Sequence, residues 1–178
     1  MITSKILKFE IWGMVFISLF GSLLHFTFNW LNRFWLAGAF SAVNESTWEH
    51  LKLAVVPAFI WALVENRAMQ GRPNNFWRAK VAGIYAMPIL IIAFFYGYKA
   101  ILGHNLLAID ISIFVAAVIL GQLLSYGITK LPEFSRKLDS YYILLLILLV
   151  LLFIVFTFWP PHFFLWQDPI SGGYGIIK

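Results

Sequence analysis

The sequence predicts an all-α polytopic membrane protein, a bundle of about five transmembrane helices forming one domain over residues 1–178. Composition is the first reason: 61% of the residues are hydrophobic, 12% are charged and the mean hydropathy is +0.83. A soluble fold of this size has no interior large enough for so much apolar surface. The second reason is five stretches close to the roughly 20 apolar residues that cross a bilayer. In order, they are residues 9–30, 47–66, 76–101, 106–128 and 141–159.

Two further segments complete the predicted fold. Residues 34–40 are apolar but too short to cross a bilayer, so an interfacial or re-entrant segment is expected after the first helix. Residues 160–178 are rich in proline and glycine, which favours turns over helix. Their aromatic side chains are poorly suited to water, so we expect an ordered non-helical tail that folds back over the bundle as a cap.

Small residues four apart mark candidate helix contacts. Ala79 with Gly83, and Ala117 with Gly121, have the spacing that lets membrane helices approach closely. Such pairs are common in apolar helices, so they predict contact faces without specifying which helix packs on which.

Basic residues predict the orientation. With a cytoplasmic N-terminus, nine Lys and Arg residues fall inside and four fall outside, as the positive-inside rule requires. Five spans then place the C-terminus outside, in a multi-pass protein of the cell membrane. The bilayer is the expected partner. Nucleic acid is not, because the basic residues lie in short loops without a basic stripe. The absence of cysteine excludes thiolate chemistry.

Polar residues at the outer ends of the spans are the candidate ligand-binding groups. His25 and Asp110 lie at similar depth in the first and fourth spans. Ionisable groups inside a span cost about 2.5–3.5 kcal/mol on insertion scales, so they tend to pair or to line cavities. We expect these two to be buried and to meet each other or the start of the second span. His162 and Asp168 of the tail are expected to cover the same cavity.

The densest polar segment is residues 44–52, where Glu45, Glu49 and His50 are the candidate catalytic residues. If the segment is helical, Glu45, Glu49 and Lys52 share one face. With His25 from the first span, Glu45, Glu49 and His50 form a candidate site for a divalent metal such as zinc, since imidazole and carboxylate are zinc ligands. Alternatively, a carboxylate–histidine pair acts in acid–base chemistry or as a proton relay.

Helix capping is a competing explanation for part of this segment. Ser46-x-x-Glu49 fits a capping box, in which the serine bonds the Glu49 amide and the glutamate bonds back to the start of the helix. Capping accounts for Glu49 but not for Glu45 or His50.

The same two segments resemble those of a family of small bacterial integral-membrane proteins of unknown function. The shared motifs are Asn44-Glu45-Ser46-x-Trp48-Glu49-His50-x-Lys52 and Pro160-Pro161 … Asp168-Pro169-x-x-Gly172-x-Tyr174-Gly175-Ile176. The resemblance implies a bacterial membrane location and implies no activity, so no catalytic residue follows from it.

Three functions are compatible with these observations. The first is an outward-facing site that binds a metal, a small polar ligand or a lipid head group, with hydrolase-like chemistry. The second is a proton- or ion-coupled transporter or channel component that uses the same groups. The third is a non-catalytic scaffold subunit, in which the cluster caps helices and holds the tail. Whether the protein is an enzyme is left open by the sequence.

Overall fold

The computed structural model describes residues 2–69, 71–73, 75–132 and 135–177. The acidic Glu133 and the last basic residue of the orientation count, Lys178, therefore lie outside the described residues. The helices are α1 (Ile2–Trp30), α2 (Trp35–Gly38), α3 (Thr47–Ala68), α4 (Phe76–Leu102), α5 (Leu107–Thr129) and α6 (Asp139–Phe158), with a short 3-10 turn (Arg136–Leu138) before α6.

Five of these helices are long and apolar enough to cross a membrane, which confirms the predicted fold class. Within the described residues, the one β-type pairing is an isolated bridge between Gln167 and Tyr174. Helix α1 begins at Ile2, earlier than the predicted span. Lys5 and Lys8 extend it because lysine is a good helix former whose long side chain can reach the polar surface.

Helix α3 is the helix that lipid would contact least. Of its span, 61% is buried, against 22–28% for the other four membrane-length helices, and its mean hydropathy of 1.2 is the lowest. It packs on α1, α4 and α6. A helix surrounded by protein can carry polar and charged residues because its neighbours, rather than lipid, satisfy them.

Small residues lie at two close helix approaches, and one of them joins Gly83 and Gly121 of the two predicted pairs. A Cβ added to Gly83 of α4 would lie 2.5 Å from the Gly121 carbonyl oxygen of α5. Gly21 of α1 similarly packs on the Leu53 carbonyl of α3, where an added Cβ would lie 2.4 Å away. That carbonyl has no helical partner, because Pro57 four residues later has no N–H.

The bundle has two ends. The N-terminal face carries the start of α1, the end of α3 and the start of α4; the C-terminal face carries the start of α3 and the end of α6. At the C-terminal face, the segment after α1 forms only the short helix α2 and does not cross the bundle.

The tail after α6 is ordered and non-helical, as predicted, and it folds back onto the start of α3. The Trp48 amide donates to the Leu165 carbonyl at 3.0 Å, and the Asn44 side chain donates to the Gly175 carbonyl at 2.8 Å. The Trp48 ring lies between Phe153 and Trp166, with ring centroids 4.4 and 4.9 Å away. The tail therefore covers the segment on which the candidate residues lie.

Candidate functional site

Two histidines and one glutamate converge at the C-terminal face. His25 comes from α1, Glu45 from the loop before α3, and His50 from the first turn of α3. One potential ligand atom from each lies within 4.8 Å of the other two. The Nε2 of His50 is 3.4 Å from one Glu45 oxygen, and the Nε2 of His25 is 3.8 Å from the other. Glu45 is exposed and both histidines are half-buried, so the group is open to solvent.

Hydrogen bonding fixes which His50 nitrogen faces the carboxylate. The Nδ1 of His50 lies 2.9 Å from the Ser46 carbonyl oxygen, which can only accept, so Nδ1 carries a proton. In the neutral ring, Nε2 then presents its lone pair to Glu45. The Nδ1 of His25 is buried without a hydrogen-bond partner. A lone pair that faces a carboxylate is repelled by it, so a proton or a metal ion between the two would stabilise this arrangement.

The tail positions Glu45. The Asp168 carboxylate accepts the Glu45 amide at 3.2 Å and also the amide and hydroxyl of Ser171, at 3.0 and 2.5 Å. Burial raises the pKa of Asp168, but hydrogen bonds from Ser171 and from the Glu45 amide outweigh burial and leave that pKa below its ordinary value. When His50 is doubly protonated, its Nε2–H donates to Glu45, and this hydrogen bond is the main cause that lowers the pKa of Glu45. Both carboxyls are therefore ionised at neutral pH.

Glu45 shares a helix face with Glu49 and Lys52 only if residues 44–46 are helical, and they are not. Helix α3 begins at Thr47, and Ser46 is its N-cap in extended conformation, so Glu45 lies before the helix. Because the helix starts only after Glu45, the Glu45 side chain lies near His25 and His50, whereas Glu49 lies on a buried side of α3.

Glu49 belongs to a separate buried network rather than to the His25–Glu45–His50 group. Its carboxylate contacts the Lys52 ammonium at 2.7 Å and accepts the Thr157 hydroxyl at 2.7 Å. Ser46 accepts the Glu49 amide at 3.4 Å, which is half of the predicted capping box. The other half is missing because Glu49 accepts the Val43 amide instead. The structure therefore does not support Glu49 as a metal ligand or catalytic residue.

Asp110 and His162 are also not brought to this group. Asp110 accepts the Tyr98 hydroxyl and, at 3.1 Å, the Asn105 side chain, so it closes the loop between α4 and α5 instead of meeting His25. His162 is exposed and stacks on Tyr174 with ring centroids 4.5 Å apart. Of the two predicted covering residues, only Asp168 contacts the group, through the Glu45 backbone.

A second buried cluster was missed by the sequence analysis. Glu10 of α1, Glu65 of α3 and Lys80 of α4 meet near the N-terminal face, where Lys80 lies 2.7 Å from Glu10 and 2.6 Å from Glu65. The available signal was an acid in each of the first two spans and a base in the third, since charged groups inside spans need partners there.

Comparison with known proteins gives a family but no function. The family of unknown function DUF6512 matches residues 1–176. No curated protein and no solved structure matches the chain.

Proposed function

Because the chain belongs to the family of unknown function DUF6512, we propose its function from its own site: it is an integral membrane protein that binds a divalent metal of the zinc class. The ligands are His25, Glu45 and His50. The convergence of two imidazoles and one carboxylate, with the His50 Nε2 lone pair aimed at Glu45, carries the proposal. A proton shared by the same groups is the competing explanation, and the metal analysis below distinguishes the two.

The ligand set has the chemistry of a catalytic zinc site. Two histidines and one glutamate form such a site when a fourth position stays open to water. Zn–N distances of about 2.0–2.1 Å put neighbouring ligand atoms of a tetrahedral site roughly 3.3 Å apart. Here the two histidine Nε2 atoms lie 3.4 and 3.8 Å from different oxygens of Glu45, and one ligand atom from each residue lies within 4.8 Å of the others. A zinc-bound water has a pKa near 7, which would supply a nucleophile for hydrolysis of a small polar or lipid head-group ligand.

Contacts around the ligands support the same assignment. Metal-binding histidines usually donate their other ring N–H to a carbonyl or carboxylate, and His50 donates to the Ser46 carbonyl. Asp168 holds the backbone of Glu45 in place from the tail. The tail thus not only lies beside the site but also fixes the position of one of its ligands.

Metal analysis of the purified protein tests this proposal. After exposure to zinc and removal of excess metal, we expect about one zinc ion per chain, as three protein ligands can hold one ion. His50→Ala and Glu45→Gln should each lose most of it. His104→Ala is the matched control, since His104 is an exposed histidine in the loop between α4 and α5. A wild-type protein that holds no metal, or two site variants that both retain it, would contradict the proposal.

We also propose that the N-terminal face is cytoplasmic, so that the metal site opens to the outside of the cell. The basic-residue count supports this orientation. Lys80 and Lys52 are buried in ion pairs inside the bundle, so they are removed from the counts of nine and four. Eight basic residues then remain on the inner side and three on the outer side, and the positive-inside bias persists.

Thiol labelling tests the orientation, because the natural chain has no cysteine. A membrane-impermeant thiol reagent should label His104→Cys in intact cells, since that loop is then outside. Lys137→Cys, in the exposed turn before α6, should react only after the cells are opened. The reverse labelling pattern would place the metal site on the cytoplasmic side.

A further inference from the structure

Three helices bring ionisable side chains together near the N-terminal face, away from the proposed metal site. The Lys80 ammonium lies between Glu10 at 2.7 Å and Glu65 at 2.6 Å, and each of the three side chains is at most 2% exposed. Groups of this kind within membrane spans are costly and generally have a function in proton or ion handling.

The charges of this cluster do not balance. Two carboxylates face one ammonium, which leaves one excess negative charge if all three groups are ionised. Among the described residues, the ion pairs of Glu10 and Glu65 are both with Lys80. An unpaired buried charge costs several kcal/mol, and a group in that position usually becomes neutral by binding a proton.

Within the described residues, the other helices contribute no second positive charge to an ion pair with Glu10 or Glu65. Helix α5 contributes only neutral groups: the Ser125 hydroxyl donates to Glu10 at 2.7 Å, and Gln122 donates to the Glu10 carbonyl at 3.4 Å. The titratable residues at the start of α6 are Asp139, Tyr141 and Tyr142, and Asp139 is itself paired with Arg72 at 3.1 Å. The missing positive charge must therefore come from solution.

Three carboxylate oxygens of the cluster have no hydrogen-bond partner. They are both oxygens of Glu65 and one oxygen of Glu10, and all three are buried. The contact of Glu65 with Lys80 is thus an ion contact without hydrogen-bond geometry. A metal ion would need several oxygen ligands around it, whereas the Lys80 ammonium already lies between the carboxylates. A proton needs no such space and turns one acceptor into a donor.

We propose that Glu10, Glu65 and Lys80 form a proton-binding site, in which the two carboxylates share one exchangeable proton near the N-terminal face. The proton comes from water on that side, converts one carboxylate to a carboxylic acid, and leaves the cluster neutral. Glu65 lies one turn before α3 ends at Ala68, so the path to that surface is short. This site does not depend on the proposed metal site.

Infrared spectroscopy of the wild-type protein in detergent tests the proposal directly. At neutral pH we expect the C=O absorption of a protonated carboxylic acid, which an exposed glutamate with a pKa of about 4.3 would not give. The absorption should shift in D₂O and disappear reversibly as the pH is raised. No such absorption at neutral pH, or one that does not respond to pH, overturns the proposal without any variant being needed.

Two variants and a control assign the absorption to the cluster. Glu65→Gln and Glu10→Gln each leave one carboxylate paired with Lys80, a neutral pair that holds no proton, so both should lose the absorption at neutral pH. Glu45→Gln, at the opposite face, should keep it. If both cluster variants keep the absorption, the proton lies elsewhere and the proposal is wrong.

Discussion

Replacing Lys52 by methionine is expected to lower the free energy of unfolding by about 3–5 kcal/mol, the usual effect of removing one partner of a buried ion pair. The Lys52 ammonium contacts the Glu49 carboxylate at 2.7 Å, the Gly38 carbonyl at 2.7 Å and the Thr157 hydroxyl at 2.8 Å. Methionine keeps much of the apolar stem but none of the charge. Glu49, which is 2% exposed, would then be left with an uncompensated buried charge.

Thermal unfolding in detergent measures this effect. For a protein of this size, a loss of this magnitude lowers the midpoint by on the order of 10 °C. Lys137→Met is the matched control: Lys137 is exposed, and surface substitutions usually change stability by less than about 0.5 kcal/mol. The double variant Lys52→Met/Glu49→Gln should recover most of the loss, because no unpaired charge remains. Equal midpoints for Lys52→Met and Lys137→Met would mean that the ion pair is not buried.

The Glu49–Lys52 pair also links the fold to the proposed metal site. Lys52 binds the Gly38 carbonyl and Glu49 binds the Val43 amide, so both partners hold the segment after α1. That segment leads directly into Glu45. We therefore interpret Glu49 as a residue that positions the loop between α2 and α3 from inside the bundle, through the Val43 amide. Asp168 of the tail positions the same loop through the Glu45 amide. The dense motif combines two of the proposed ligands, Glu45 and His50, with the groups that position them.

Hydropathy predicted the fold well because the bilayer imposes one dominant constraint. A span must be about 20 apolar residues long and internally hydrogen-bonded, so its place in the sequence is visible without any knowledge of its neighbours. Four of the five membrane-length helices begin and end within two residues of the predicted stretches. The exception is the start of α1, where flanking lysines continue the helix.

The candidate site was predicted only in part, because the depth of a residue along the bundle and the direction of its side chain around the helix are separate properties. Topology indicates how deep a residue lies along the bundle, and it placed His25, His50 and Asp110 near one face. It does not indicate which way each side chain points around its helix. His25 and His50 point to Glu45, whereas Asp110 points to Tyr98 in its own hairpin.

Contacts between helices distant in sequence were the least predictable feature. Glu10 and Lys80 are 70 residues apart, and no local pattern connects them. Glu45 could be placed only by choosing between two interpretations of one segment. A helix through residues 44–52 would put Glu45 beside Glu49, whereas the predicted Ser46 cap puts it before the helix, as the structure has it.

Replacing Gly83 by alanine is expected to destabilise the bundle by about 3 kcal/mol, at the upper end of overpacking effects. The new methyl carbon would lie 2.5 Å from the Gly121 carbonyl oxygen and 3.1 Å from the Ser125 Cβ. Backbone atoms of a packed helix cannot turn aside as a flexible side chain can, so α4 and α5 must separate. Ser125, which lies next to the clash, also donates to Glu10 at 2.7 Å, and this bond links the crossing to the proposed proton site.

Gly97→Ala is the matched control, because Gly97 lies on the same helix with nothing within 4 Å of an added Cβ. Alanine exceeds glycine in helix propensity by up to about 1 kcal/mol, so this variant should unfold at the wild-type temperature or slightly above it. Thermal unfolding of the two variants side by side separates steric clash from propensity, since both make the same chemical change in α4. If Gly83→Ala is as stable as Gly97→Ala, the two helices do not approach through their backbones, and the α4–α5 crossing described here is wrong.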